Sequence, residues 1–127
     1  MAYQKYYNIK TKSSDGTVHD SMREAHRWEE LLLLQRCGKI RDLQRQVKYE
    51  LIPAQYESYE RYGVNGNRLK DGNRLVEKSC DYIADFEYID TETNQKVVED
   101  TKGFRTKDYI IKRKLMLFRY NIRIKEV

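Results

Sequence analysis

Residues 80–103 read CDYIADFEYIDTETNQKVVEDTKG, two runs of strand-forming residues about a polar turn. Residues 80–89 make the first run and 96–102 the second, with Asp90 to Gln95 as the connection. So short a polar link joins neighbouring antiparallel strands, and Gly103 breaks the second strand. Strict alternation sends Tyr82, Ala84, Phe86 and Tyr88 one way and Ile83, Asp85 and Glu87 the other. In the next strand Val98, Asp100 and Lys102 share a face. Pairing the two strands therefore gathers Asp85, Asp100 and Lys102 on one surface of a sheet.

Upstream, alternation recurs after Ile40. Val47, Tyr49 and Leu51 take one face and Gln46, Lys48 and Glu50 the other, a half-buried strand that ends before Pro53. Residues 53–79 are polar, with Gly63, Gly66, Gly72 and three asparagines, and read as a long loop or flap. Ser21 opens a helix in which Ala25, Trp28, Leu31 and Leu32 recur at helical spacing until Gly38. Residues 3–9 are rich in strand formers and Asp15-Gly16 is a turn signal, so 1–19 forms an N-terminal arm or hairpin.

Downstream, 106–120 is a helix with Ile111, Leu115 and Phe118 on one stripe, and 122–127 (IRIKEV) is a final strand. A strand, a helix and a strand in that order favour a parallel crossover. The expected fold is α/β, a mixed central sheet flanked by helices with the order α-β-β-β-α-β.

Composition bounds this outline. With 127 residues, 39% hydrophobic and 35% charged, the chain supports one domain with a modest core. Its 25 Lys and Arg against 20 Asp and Glu give +5, a balance that permits phosphate contacts without establishing them. Eleven tyrosines against three phenylalanines and one tryptophan suit strand faces or surfaces that touch polar polymers. Cys37 and Cys80 lack CxxC spacing and read as reduced, buried thiols. No secretory segment opens the sequence and no apolar run spans a bilayer, so a soluble cytoplasmic protein with no membrane partner is expected.

The chemistry concentrates at the gathered acids. Two adjacent carboxylates repel, and a shared divalent cation relieves the repulsion. A hard, oxygen-lined site suits Mg2+, with Mn2+ as a substitute. Lysine beside such a site holds or activates a water, or stabilises charge developing on a phosphate. An ordinary solvated face with a weak ion pair is the plain alternative for a D-x-K spacing. Apolar β-branched residues leading into the acids, Gly103 and the basic helix that follows favour the chemical reading.

Other candidates carry plain alternatives too. Glu24 completes a Ser21-x-x-Glu24 capping box, yet aligns with Trp28 and Leu31 near the buried edge of its helix; ligand and cap both stay open, with Glu29 as fallback. Gln46 either orients a water or phosphate or is simply solvated. His19 and His26 read as surface residues. Arg105, Thr106, Lys107, Lys112 and Lys114 around the second helix are either a solvated face or, in a protein that binds DNA, contacts to its phosphates, with Thr106 also a cap. Tyr56, Tyr59, Tyr62, Arg68 and Lys70 are candidates for clasping DNA from the 53–79 segment.

The run Tyr82-Ile83-Ala84-Asp85-Phe86, then Val97-Val98-Glu99-Asp100-Thr101-Lys102-Gly103, then Thr106, Tyr109 and Lys112-Arg113-Lys114 resembles the PD-(D/E)XK nucleases. More closely the chain is similar, from about Tyr6 to Glu126, to a small phage-encoded family of that superfamily whose function is unknown. The order of elements is also similar to that of Holliday-junction resolvases and the transposon end-cleaving endonuclease. The resemblance implies a restriction-endonuclease-like fold, with Asp85 as the motif's first aspartate, Asp100 as its (D/E) and Lys102 as its lysine. It further implies the Thr101 carbonyl as a metal ligand and Glu24 as the acid contributed by the first helix. Ala84 stands where the name-giving proline would be. Glu99 is a second candidate for the (D/E) position, but its phase opposite Lys102 favours Asp100.

The expected activity is that of a Mg2+-dependent endonuclease hydrolysing DNA phosphodiester bonds. The resemblance extends this to branched or recombination-intermediate DNA and to a homodimer that cuts paired strands. The rivals are a non-catalytic DNA-binding module with the nuclease fold and a phage adaptor protein binding through tyrosine-rich surfaces.

Overall fold

A computed structural model describes residues 10–127; the strand expected at 3–9 lies outside the described residues. Two short strands, β1 (Thr11–Lys12) and β2 (Val18–His19), pair antiparallel about a turn in which Gly16 takes φ +88°. Helix α1 runs Met22–Arg36. Ser21 caps it by accepting the Glu24 N–H, and Gly38, at φ +76°, closes its C-terminal end.

Strands β3 (Ile40–Ile52), β6 (Cys80–Asp90), β7 (Gln95–Asp100) and β8 (Lys125–Glu126) form one sheet in that spatial order. β3–β6 and β6–β7 are antiparallel, while β7–β8 is parallel across helix α2 (Lys107–Tyr120). The mixed sheet, the two helices and their expected order are therefore present. Each face of the sheet carries its own core. Trp28 and Leu31 of α1 pack on Phe86, Tyr88 and Val97, whereas Tyr109 and Met116 of α2 pack on Tyr82, Ala84 and Val98.

That division corrects the expected alternation of β6. Tyr82 and Ala84 lie under α2, but Phe86 and Tyr88 lie under α1. The phase slips at Asp85. Opposite it in the β3 register, between the pairs Arg45↔Phe86 and Val47↔Ala84, Gln46 has a left-handed backbone at φ 54°. A non-glycine residue rarely adopts this conformation inside a strand. Here it rotates both chains by half a pleat without changing their register, and Asp85 sits on the break.

The polar stretch 53–79 is not a loop. It forms an antiparallel hairpin of β4 (Gln55–Tyr62) and β5 (Arg68–Glu77), apart from the main sheet. Asn65-Gly66 makes its turn, with Gly66 at φ +80° and the Gly63 N–H donating to the Asn67 carbonyl. Its side chains are almost all exposed, so it lacks the apolar alternation that marks a strand. Its charges largely satisfy one another, Arg68 with Glu60 and Asp71, and Arg74 with Glu57. Tyr59 lies across Gly72, where a Cβ would meet the ring at 2.4 Å.

The apolar stripe of α2 is also rotated from expectation. Tyr109 and Met116 are buried and Leu115 half-buried, while Ile111 and Phe118 are exposed. Apolar residues occur around most of this helix, so periodicity alone allows more than one phase. The observed phase lets Tyr109 and Arg113 reach Glu126, and brings Arg119 and Tyr120 onto the carbonyls of Leu51 and Glu50. Both cysteines are free as expected, but neither is fully buried: Cys37 caps α1 in solvent and Cys80 is half-buried. No helix among the described residues is long and apolar enough to cross a membrane.

Candidate functional site

The register of β6 and β7, extended one step past the pair Phe86↔Glu99, sets Asp85 opposite Asp100. Asp85 Oδ2 accepts two hydrogen bonds from Thr101, from its N–H and its Oγ1, each 2.8 Å. Asp100, 3% exposed, accepts from the Tyr82 hydroxyl and stands 3.1 Å from Lys102 Nζ. Burial first, then the facing Asp85 carboxylate, push the Asp100 carboxyl up to about 7. Lys102 Nζ lies 4.1 Å from the centre of the Tyr109 ring, whose face attracts a cation.

Glu24 joins this group from α1. It is buried, and its carboxyl is raised to about 7 by burial first, then by the charges of Asp85 and Asp20. Ser21 supplies its half of the capping box, but the Glu24 carboxylate turns toward Gln46 Nε2 at 3.2 Å and His19 Nδ1 at 3.6 Å. Gln46 thus touches the acid cluster directly. His19 is not a surface residue: the β1–β2 hairpin folds it under α1, where it is 1% exposed beside Trp28 and contacts Ser13 Oγ. His26 is exposed as expected.

Glu24, Asp85, Asp100, Thr101 and Lys102 line one depression of about 510 Å³. The other candidates distribute as follows. Glu99 belongs to the opposite face, fully buried, accepting from Arg27 at 2.7 and 2.8 Å and from Tyr88. Glu29 accepts from Ser14 in the N-terminal turn and takes no part. Thr106 caps α2 by accepting the Tyr109 N–H and also lines the depression. Arg105 is tied to Glu126, which offsets its charge. Lys112 lines an adjoining hollow, and Lys107 and Lys114 are exposed on α2. The tyrosines, Arg68 and Lys70 all lie on the separate hairpin.

Sequence reading missed three participants. Tyr82 reaches Asp100 only because the pleat breaks at Asp85, which alternation cannot reveal. His19 depends on a tertiary contact. Arg23, on the rim beside Gly103, carried one usable signal: a cation at the second position of a helix sits where the dipole favours acids.

No three His, Cys, Asp and Glu side chains among the described residues stand as a ready cation cage. The donor set nevertheless suits a hard cation. Asp85 and Asp100 face each other across the strand pair, where a cation would relieve their repulsion, and Glu24 adds a third carboxyl. Without such an ion the cluster costs stability, with a definite pH signature. Asp100 and Glu24 keep their protons in the folded chain up to about 7, against ordinary values of 3.8 and 4.5. Stability from these groups is therefore full below about pH 4 and is lost as pH rises through 7. Asp100→Asn is expected to flatten that decline and raise the stability at pH 8 by on the order of 1–3 kcal/mol. Urea melts at pH 5 and pH 8 measure it; an equal decline in the variant would contradict the assignment.

Fold and site together define a mixed α/β domain with a buried carboxyl cluster and a lysine just past the end of β7. Residues 4–126 match the model of a family described as a protein of unknown function, DUF1064, and the chain belongs to that family. Neither a curated protein nor a solved structure matches the chain.

Proposed function

We propose that this chain is a metal-dependent endodeoxyribonuclease of the PD-(D/E)XK type with a restriction-endonuclease-like core. The observation that carries this reading is the Asp100 carboxyl, buried, set opposite Asp85 in the same depression and 3.1 Å from Lys102. A buried carboxyl beside a second carboxylate and an amine is costly for a fold and useful for phosphoryl chemistry.

Asp85, Asp100 and Glu24, with the Thr101 carbonyl, would hold Mg2+ or Mn2+. A bound ion would supply Lewis-acid polarisation and neutralise phosphate charge. The two Thr101 hydrogen bonds fix the Asp85 carboxylate, and Tyr82 fixes that of Asp100. Lys102 is placed to stabilise negative charge developing on a scissile phosphate oxygen. Gln46 orients Glu24. Phosphates flanking the cut would meet Lys112 and Thr106, with Lys107, Lys114 and Arg105 adding a weaker field. Branched DNA is the proposed substrate class, and a homodimer would supply the second centre needed to cut paired strands.

The test is cleavage of a four-way junction, a flap and a linear duplex with Mg2+ or Mn2+. Cutting of at least one is expected. Binding without cutting in either metal would instead favour a DNA-binding module. The hairpin favours a second reading, an adaptor: Arg68 and Arg74 pair with acids of the hairpin itself while Tyr56 and Tyr62 are 63% and 58% exposed. Failure to bind DNA at all would support that one.

A further inference from the structure

We propose, resting on the nuclease reading, that the acid cluster lies midway along an open trough for one DNA strand, gripped by Arg23 on one side of the scissile bond and Lys112 on the other. Three depressions adjoin. The central one, about 510 Å³, shares Asp85, Asp100, Lys102 and Thr106 with a second of about 490 Å³. It shares Arg23 and Thr101 with a third of about 440 Å³. The acids sit in the middle, and the path continues past them both ways.

The cations along this path are unequal. Lys102 is paired with Asp100, Lys48 with Asp81 and Arg27 with Glu99. Arg23 and Lys112 line the trough with no hydrogen bond or ion pair to any described residue. They flank the acid cluster, Arg23 at the boundary of the central and third depressions and Lys112 in the second. Arg23 is also set against its own helix, occupying the second position of α1 where the dipole disfavours a cation. Free cations on both sides of an acidic centre match a backbone that carries a phosphate on each side of the bond being cut. A site for a strand end would need only one flank.

Lys112 was expected to contact DNA from its place on a basic helix; Arg23 and the path between them come from the structure. Arg23 acts here as a positioning residue, holding a phosphate and not the reacting atoms.

The experiment is anisotropy binding of a 20-nucleotide single strand in EDTA over a salt series, for wild type, Arg23→Gln, Arg23→Lys, Lys112→Gln and Lys39→Gln. Lys39 is an exposed cation in the turn between α1 and β3 and lines none of these depressions. Arg23→Gln and Lys112→Gln should each weaken binding several-fold and reduce the slope of log K against log salt by about 0.7, the value for one lost single-strand phosphate. Arg23→Lys should keep the slope, Lys39→Gln should leave it unchanged, and the melting temperature of Arg23→Gln should not fall. In a cleavage assay Arg23→Gln should raise KM with kcat within a few-fold of wild type. A wild-type slope in Arg23→Gln and Lys112→Gln, or an equal loss in Lys39→Gln, overturns the trough while leaving a cutting enzyme intact. A wild-type protein that neither binds nor cuts DNA overturns both readings.

Discussion

Asp85→Asn is expected to lower DNA cleavage by about 10²–10³-fold, the scale on which one preorganised electrostatic group acts in a site, while leaving DNA affinity in EDTA within a few-fold of wild type. The reason is the position of this carboxylate. It lies on the break in the pleat, is held by two Thr101 hydrogen bonds, and raises both Asp100 and Glu24. Its replacement by an amide removes the charge that makes the cluster attractive to a cation. The same change lowers the repulsion on its neighbours, so the fold should not weaken. The expected pattern is a protein that melts at least as high as wild type, binds DNA and does not cut. Steady-state cleavage on the best substrate, paired with a melt, measures both halves. Loss of activity together with loss of fold would leave Asp85 as a structural residue, and full activity would remove it from the centre.

The second large effect is on stability. Glu99 is 0% exposed and is neutralised by Arg27 at 2.7 and 2.8 Å, with the Tyr88 hydroxyl as a third donor. Arg27→Met strands that carboxylate between α1 and the sheet and should cost about 3–5 kcal/mol, the usual penalty for breaking a buried pair from one side. Replacing both partners with apolar residues, Arg27→Met with Glu99→Leu, should recover much of the loss, because the desolvation cost disappears with the pair. Denaturant melts of the two single variants and the double variant give the coupling. Additive losses would mean that the bridge carries no weight. Glu99 and Asp100 are chain neighbours with opposite duties, so Glu99→Gln should lower the melting temperature without abolishing cleavage, whereas Asp100→Ala should abolish it.

Much of this site was legible in 80–103. The strand–turn–strand reading, the gathering of Asp85, Asp100 and Lys102, and the exclusion of Glu99 by phase depend on period-2 geometry in β7, which is regular there. The choice of Ser21 and Gly38 as helix ends depends on local hydrogen bonding and was equally visible. What escaped lies where local rules yield to tertiary contacts. No composition signal announces that Gln46 adopts φ 54°, so the partition of Tyr82 and Phe86 to opposite faces was hidden. His19 looks like a polar turn residue until a hairpin folds it against Trp28. The 55–77 hairpin is a different case: Asn65-Gly66 is a strong turn signal, but exposed, charged strands show little apolar alternation, and the turn was read as part of a loop. In α2, apolar residues on most sides left the phase undecided until Tyr109, Arg113 and Glu126 could meet.

The central claim is that the carboxyls of Asp85 and Asp100 serve one hard cation beside Lys102. Anomalous diffraction from crystals of this protein soaked in Mn2+ tests it most directly. The account predicts a peak about 2.1 Å from oxygens of both carboxylates, on the Lys102 side of the sheet and away from Glu99. Well-ordered carboxylates with no peak between them, or a peak bound only elsewhere, would contradict it.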